Sequence, residues 1–222
     1  MQTWHARCCM VLGLQQLNNF NMWEIKRNLK FEKLTEGYKL FPIQNLMRWD
    51  LLTLLIRQYN LKQIAEVGVY RGDTAKRILR EHHSFFDKGN MGSPLQFKHY
   101  YMIDHSPSKQ CLELAKEYSD ISTFLCAKSI NAVKDFQDNS LDLVFVDACH
   151  WYKDAKEDMV AWLSKVKKGG WFVGHDFYLD GVDKWHEDVR KAADEVLGYR
   201  DYYIFPDVEP CGRGCMFMKR IM

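Results

Sequence analysis

The chain is short of the residues that punctuate or cross-link unusual folds. Only 5 prolines and 13 glycines occur in 222 residues, too few for collagen-like or low-complexity sequence. Long apolar runs are missing too. The best, LLTLLI at 51–56, is bracketed by Asp50 and Arg57 and falls well below the roughly 18 residues that a membrane-spanning helix needs. Neither sign of charge dominates: 31 Lys+Arg stand against 29 Asp+Glu, a formal net charge of +2, which excludes a dedicated basic binder of nucleic acid. Seven cysteines, an odd number without regular spacing, make no disulfide framework. Cys111, Cys126 and Cys149 read as small apolar residues in or beside core elements. Cys211-Gly-Arg-Gly-Cys215 is the exception: a turn between two strands is the first reading, with a redox pair or half a zinc site left open. Near the N-terminus, CCMVLGL at 8–14 reaches only the lower limit of a signal-peptide core and meets no small-residue cleavage site. The protein is therefore expected in the cytoplasm.

What is present is apolar material for one sizeable core, 47% of the chain, at a length that suggests one domain plus an appendage. Short β-rich runs alternate with helical patterns. QIAEVGV (63–69), HYYMID (99–104), STFLCA (122–127), LDLVFVDA (141–148) and WFVGHDF (171–177) read as strands. Helices are predicted over 73–83, over 107–120 with Pro107 in the first turn, over 129–136, over 153–168 closed by Gly169-Gly170, and over 183–197. Five βα units in succession predict an α/β fold: a doubly wound, Rossmann-like sheet with helices on both faces. The last strands, DYYIFP (201–206) and CMFMKR (215–220), are too close for a parallel crossover and predict an antiparallel hairpin, giving about seven strands. Residues 61–222 form this domain. Residues 1–60 read as a helical extension or lid, with an amphipathic stretch at 44–58; 87–97 reads as a loop.

Ligands of open α/β sheets bind beyond the carboxyl ends of the strands. The first such end reads Glu66-Val67-Gly68-Val69-Tyr70-Arg71-Gly72, an E-x-G-x-x-x-G turn into a helix. Its glycines admit close backbone approach, but Arg71 and Asp73 occupy the place where a pyrophosphate loop leaves the helix terminus bare. The acidic loop suits a cationic or zwitterionic ligand. Asp104 ends the second strand, 104 − 66 = 38 residues on, where an acid can accept hydrogen bonds from both ribose hydroxyls. Ser129, after the third strand, can meet an adenine edge or simply cap a helix. The fourth strand ends in Asp147-Ala148-Cys149-His150, and the fifth in His175-Asp176, 176 − 147 = 29 residues later. Neighbouring strands bring those carboxylates together, and paired acids stay ionised most easily with a cation between them.

The runs EVGVYRGDTAKRIL, YYMIDHSP and LDLVFVDACHWYKDAKEDMVAWLSKVKKGGWFVGHDF resemble the class I S-adenosylmethionine-dependent methyltransferases, in the small-molecule O-methyltransferase branch of the catechol and macrolide-sugar type. The resemblance covers about 60–220. It implies S-adenosylmethionine as cofactor, with Glu66, Gly68 and Gly72 around its methionine part, Asp104 on the ribose, Ser129 near the adenine and Asp147 beside the sulfonium. Tyr70 and His105 join the cofactor set. Metal-dependent members hold a cation on the acid after the fourth strand and an acidic pair after the fifth; here those positions read Asp147, His175 and Asp176. Histidine in place of one acid leaves Mg²⁺, Mn²⁺ and no metal all open, since Mg²⁺ prefers oxygen.

Methyl transfer from a sulfonium is an in-line displacement, so alignment is the protein's main task. His150 is the candidate base for an alcohol or phenol acceptor, with Asp147 as the second catalytic candidate. The expected partner is a small-molecule acceptor, with no nucleic acid and no membrane; a homodimer through the hairpin edge or the extension stays open. A nucleic-acid methyltransferase would want a proline-containing motif where DACHWY stands. A non-catalytic scaffold that keeps the S-adenosylmethionine fold, and an NAD-dependent dehydrogenase, are the alternatives.

Overall fold

Apolar runs that end in glycine or an acid form the strands, and runs with 3.6-residue periodicity form the helices. The computed structural model describes residues 39–40, 46–83, 94–177, 184–206 and 215–222. The strands are β1 (Lys39–Leu40), β2 (Gln63–Val67), β3 (His99–Asp104), β4 (Ser122–Cys126), β5 (Leu141–Val146), β6 (Val166–Gly174), β7 (Tyr203–Pro206) and β8 (Cys215–Arg220). The helices are α1 (Arg48–Tyr59), α2 (Asp73–His83), α3 (Lys109–Glu117), the single turn α4 (Ser129–Ala132), α5 (Tyr152–Leu163) and α6 (Lys184–Leu197).

The sheet runs β1-β7-β8-β6-β5-β2-β3-β4. Strands β2 to β6 pair in parallel, and β8 pairs antiparallel with both β6 and β7. This is the expected Rossmann-like sheet with its terminal hairpin, widened by the two-residue β1. The chain steps outward from β2 to β4 and then returns to lay β5 on the other side of β2. That reversal opens a crevice between the carboxyl ends of β2 and β5.

Core side chains come from both layers. Leu51, Leu52, Leu55 and Ile56 of α1 join Ile78 and Leu79 of α2 and Tyr100, Phe145 and Val173 of the sheet in one cluster. Each buried Leu or Ile contributes roughly 1.5–3 kcal/mol. Arg48 therefore stands at the first turn of a helix anchored in the core. At the far side, Gly174 lets Phe217 of β8 press on the end of β6; a Cβ there would lie 2.0 Å from the ring.

Three local expectations change. The helix predicted over 153–168 ends at Leu163, and Val166–Lys168 belong to β6. Val166 is buried and pairs with Leu141, and the Lys167 ammonium reaches Asp142 Oδ1 at 3.0 Å. One apolar residue among lysines fits either periodicity, and pairing with β5 decides it. The fifth βα strand stops at Gly174 because Asp176 takes a left-handed φ of 56°, which breaks the extended run. Pro107 precedes α3 instead of opening it; the Ser108 hydroxyl caps the helix by accepting from the Cys111 amide. Cys211 and the rest of 207–214 lie outside the described residues, as do 8–14.

Candidate active site

Gly68 has φ +88°, and a Cβ on it would sit 2.0 Å from the Asp147 carbonyl oxygen. Only glycine permits that approach. Its amide donates to the Ile103 carbonyl, while the Asp147 amide donates to the Val67 carbonyl. The ends of β2, β3 and β5 are thus laced together around one point. Above it opens a cavity of about 850 Å³.

On the β2–β4 side, Glu66, Gly68 and Tyr70 line the cavity with Asp104, His105 and Ser129. Glu66 is 2% exposed and accepts a 2.7 Å hydrogen bond from the Tyr100 hydroxyl. Burial pushes its carboxyl up to about 8. Asp104 organises the loop: Oδ2 accepts from the Val69 and Tyr70 amides at 3.0 and 2.8 Å, and Oδ1 from the Ser106 amide. Tyr70 has a left-handed φ of 49°, and its ring stays exposed at the rim. His105 is likewise exposed, its Nδ1 3.9 Å from Asp104 Oδ1. Gly72 does not line the cavity; it closes the turn, its amide donating to the Val69 carbonyl. Ser129 opens α4, whose cap is Lys128, and its Oγ accepts from the Trp162 indole at 2.7 Å.

The β5–β6 side is a network of charges. Asp147 and His150 line the cavity, whereas His175 and Asp176 stand outside its lining. His150 Nε2 lies 2.8 Å from Asp176 Oδ2, and that hydrogen bond raises the imidazole above its usual range. His175 Nδ1 lies 3.3 Å from the same oxygen and 3.7 Å from Asp147 Oδ1. Burial works against ionisation of Asp176, but the His150 hydrogen bond and the nearby His175 imidazole hold its carboxyl well below the usual range. Burial holds Asp147 above that range. Asp147, His175 and Asp176 bring one ligand atom each within 4.8 Å of one another.

Two residues here were absent from the sequence expectations. The Arg48 guanidinium donates from Nη1 to Asp147 Oδ2 at 3.2 Å and from Nε to Thr74 Oγ1 at 3.0 Å. It comes from α1, before the motif-bearing segment, and no spacing marks it. Asp158 lines the cavity near Ser129, and burial pushes it up to about 6. Its signal was available: it is an acid on the buried stripe of α5 made by Ala155, Met159 and Trp162.

The family model described as a methyltransferase domain matches residues 65–177. No curated protein matches the sequence significantly. Among solved structures, a Staphylococcus aureus protein provisionally assigned as a caffeoyl-CoA O-methyltransferase superposes with a TM-score of 0.55. It is 16% identical, with 94% of this chain and 96% of that one covered. The 1,6-didemethyltoxoflavin-N1-methyltransferase of Burkholderia thailandensis, solved with 1,6-didemethyltoxoflavin and S-adenosylhomocysteine, gives a TM-score of 0.52 at 13% identity over 78% of each chain. Spermidine synthase from Thermotoga maritima also gives 0.52, at 14% identity over 78% of this chain and 57% of its own. At such identities the likeness speaks for the fold alone.

Proposed function

The chain belongs to the methyltransferase-domain family, and from that premise we propose that it methylates an oxygen of a small molecule with S-adenosylmethionine as donor. The observation that carries this reading is the His150–Asp176 pair, 2.8 Å apart, with His150 lining the same cavity as Glu66, Asp104 and Asp147. The donor's methionine part is assigned to Glu66, Gly68 and Tyr70, with Gly72 shaping their turn. Asp104 and His105 are assigned to the ribose, and Ser129 with Asp158 to the adenine. The working domain is assigned to 61–222, and the 1–60 extension contributes Arg48 through α1. The cytoplasm remains the assigned compartment.

In the transfer, the bond from sulfur to methyl breaks as the bond from acceptor oxygen to methyl forms, and the sulfonium becomes a neutral thioether. The acceptor's proton must leave. Asp176 is held ionised and can only accept, so His150 carries its proton on Nε2. Nδ1 is then the basic nitrogen that takes the acceptor proton. Asp176 stabilises the imidazolium that results. Arg48 fixes Asp147 at the cavity wall through Oδ2. Two carboxylates and a buried imidazole within 4.8 Å fit a divalent ion of the Mn²⁺ kind better than Mg²⁺. Such an ion would be held by Asp147, His175 and Asp176 and would lower the acceptor's pKa.

Calorimetric titration with S-adenosylmethionine and S-adenosylhomocysteine, with and without Mg²⁺ or Mn²⁺, tests the donor and the metal set. Micromolar binding of both nucleosides is expected. His150→Ala should cut turnover of a phenolic acceptor at least tenfold, about 1.4 kcal/mol in barrier, and leave donor affinity within twofold. Unchanged turnover removes His150 from the role of base.

A further inference from the structure

We propose that the acceptor carries a phosphate ester or a comparable dianionic group, seated in a basic cavity that adjoins the catalytic one at Arg48. This inference rests on the methyl-transfer reading above and adds the substrate's charge to it.

A second cavity, of about 330 Å³, is lined by Trp49, Lys76, Arg77 and Arg80, together with Arg48 and Asp73. Arg48 and Asp73 also line the large cavity, so the two spaces share a wall. One of the two residues of that common wall, Asp73, is an acid. Lys76, Arg77 and Arg80 line only the smaller cavity and so stand off the wall it shares with the large one. On α2, positions 76 and 80 are four apart and 77 and 80 three apart, which sets the three cations in one patch. All three are exposed.

Among the described residues, none of the three makes an ion pair within 4.0 Å, although Arg80 hydrogen-bonds the Tyr118 hydroxyl. The neighbouring cation contrasts with them: Arg57 Nη2 lies 3.3 Å from Glu81 Oε2. Like charges at these spacings disfavour a helix; Asp73 and Glu81, each four positions from Arg77, offset this in part, and a bound anion would offset it further. Two guanidinium forks and an ammonium match phosphate oxygens, and Trp49 supplies an apolar wall for the group that bears them. One molecule lying across Arg48 would present its reacting oxygen to His150 and its anionic end to α2.

The test uses the full chain saturated with S-adenosylhomocysteine and titrated with inorganic pyrophosphate. Binding is expected in the wild type and should weaken at least tenfold in the Arg77→Ala/Arg80→Ala double variant. Both residues are exposed, and S-adenosylhomocysteine affinity within twofold of wild type reports that the variant is folded. A Lys76→Gln/Arg77→Gln/Arg80→Gln variant, which keeps the apolar stems of the patch, should lose pyrophosphate to the same extent. In turnover, a phenol bearing a phosphate ester should exceed its unphosphorylated counterpart at least tenfold in kcat/KM. The advantage should lie mainly in KM and vanish in the double variant. Pyrophosphate binding that is absent in the wild type, or unchanged in both variants, overturns the proposal while S-adenosylhomocysteine still binds. Failure of S-adenosylhomocysteine itself to bind overturns the methyl-transfer reading, and this proposal with it.

Discussion

The loops after β2 and β3 hold one another through backbone amides, whereas those after β5 and β6 hold one another through charged side chains. On the first side Asp104 gathers three amides and Gly68 presses on the Asp147 carbonyl. On the second, Arg48, Asp147, His175, Asp176 and His150 form a chain of contacts between 2.8 and 3.7 Å. Backbone lacing makes a surface of one shape, suited to a cofactor that does not vary. A charge network sets protonation states, which suits the proton transfer proposed for that side. The two sides should therefore fail differently when they are broken.

Gly68→Ala strikes the seam between them and should have the largest effect. The added Cβ meets the Asp147 carbonyl at 2.0 Å, in a backbone conformation foreign to alanine. A loss of at least about 3 kcal/mol of stability is expected by urea denaturation, together with donor binding. Asp104→Ala breaks only the laced side. It releases the Val69, Tyr70 and Ser106 amides and should weaken S-adenosylhomocysteine binding on the order of 10–100-fold by calorimetry, about 1.4–2.8 kcal/mol. An unchanged dissociation constant would remove Asp104 from the donor side.

Asp176→Asn breaks only the charged side. Its hydrogen bond is the main cause that raises His150; in the proposed role of base His150 works when neutral, so activity should rise with pH through its pKa. The variant should move that rising limb of kcat/KM to lower pH and leave donor affinity nearly unchanged. Glu66→Gln should act through protonation alone, in the pH dependence of stability. Glu66 sits at about 8 in the folded chain, above its unfolded range near 4.3. Between those values the folded protein holds a proton that the unfolded chain has lost. Stability of the ligand-free protein should then fall as pH rises across that window, by at most about 1.4 kcal/mol per pH unit. The variant should flatten this slope in thermal denaturation.

Much of the sheet was legible because its strands are apolar runs stopped by glycine or an acid. HYYMID and CMFMKR form β3 and β8 over the residues expected, and DTAKRILREHH forms α2. The site's acids were legible for the same reason: Glu66 lies within β2, Asp104 ends β3, and Asp147 follows β5 directly. Val166–Lys168 was not, since KVKK carries one apolar residue and its strand state comes from pairing with β5. Arg48 was not, because its partner Asp147 is 99 positions away. Asp158 stood on a buried helical stripe and could have been found by asking why an acid was there.

By itself the sequence determined the alternation of strands and helices, the terminal hairpin, and which residues stand at the carboxyl ends of the strands. Those follow from periodicity and chain length, which act between neighbours in the chain. The tertiary structure alone decided that β5 returns beside β2, and that Gly68 touches Asp147. It also decided that His150 shares Asp176 with His175, and that α1 delivers Arg48 between two cavities. Such contacts depend on packing between segments far apart in sequence, and burial there sets the protonation of Glu66 and Asp158, which no local pattern encodes.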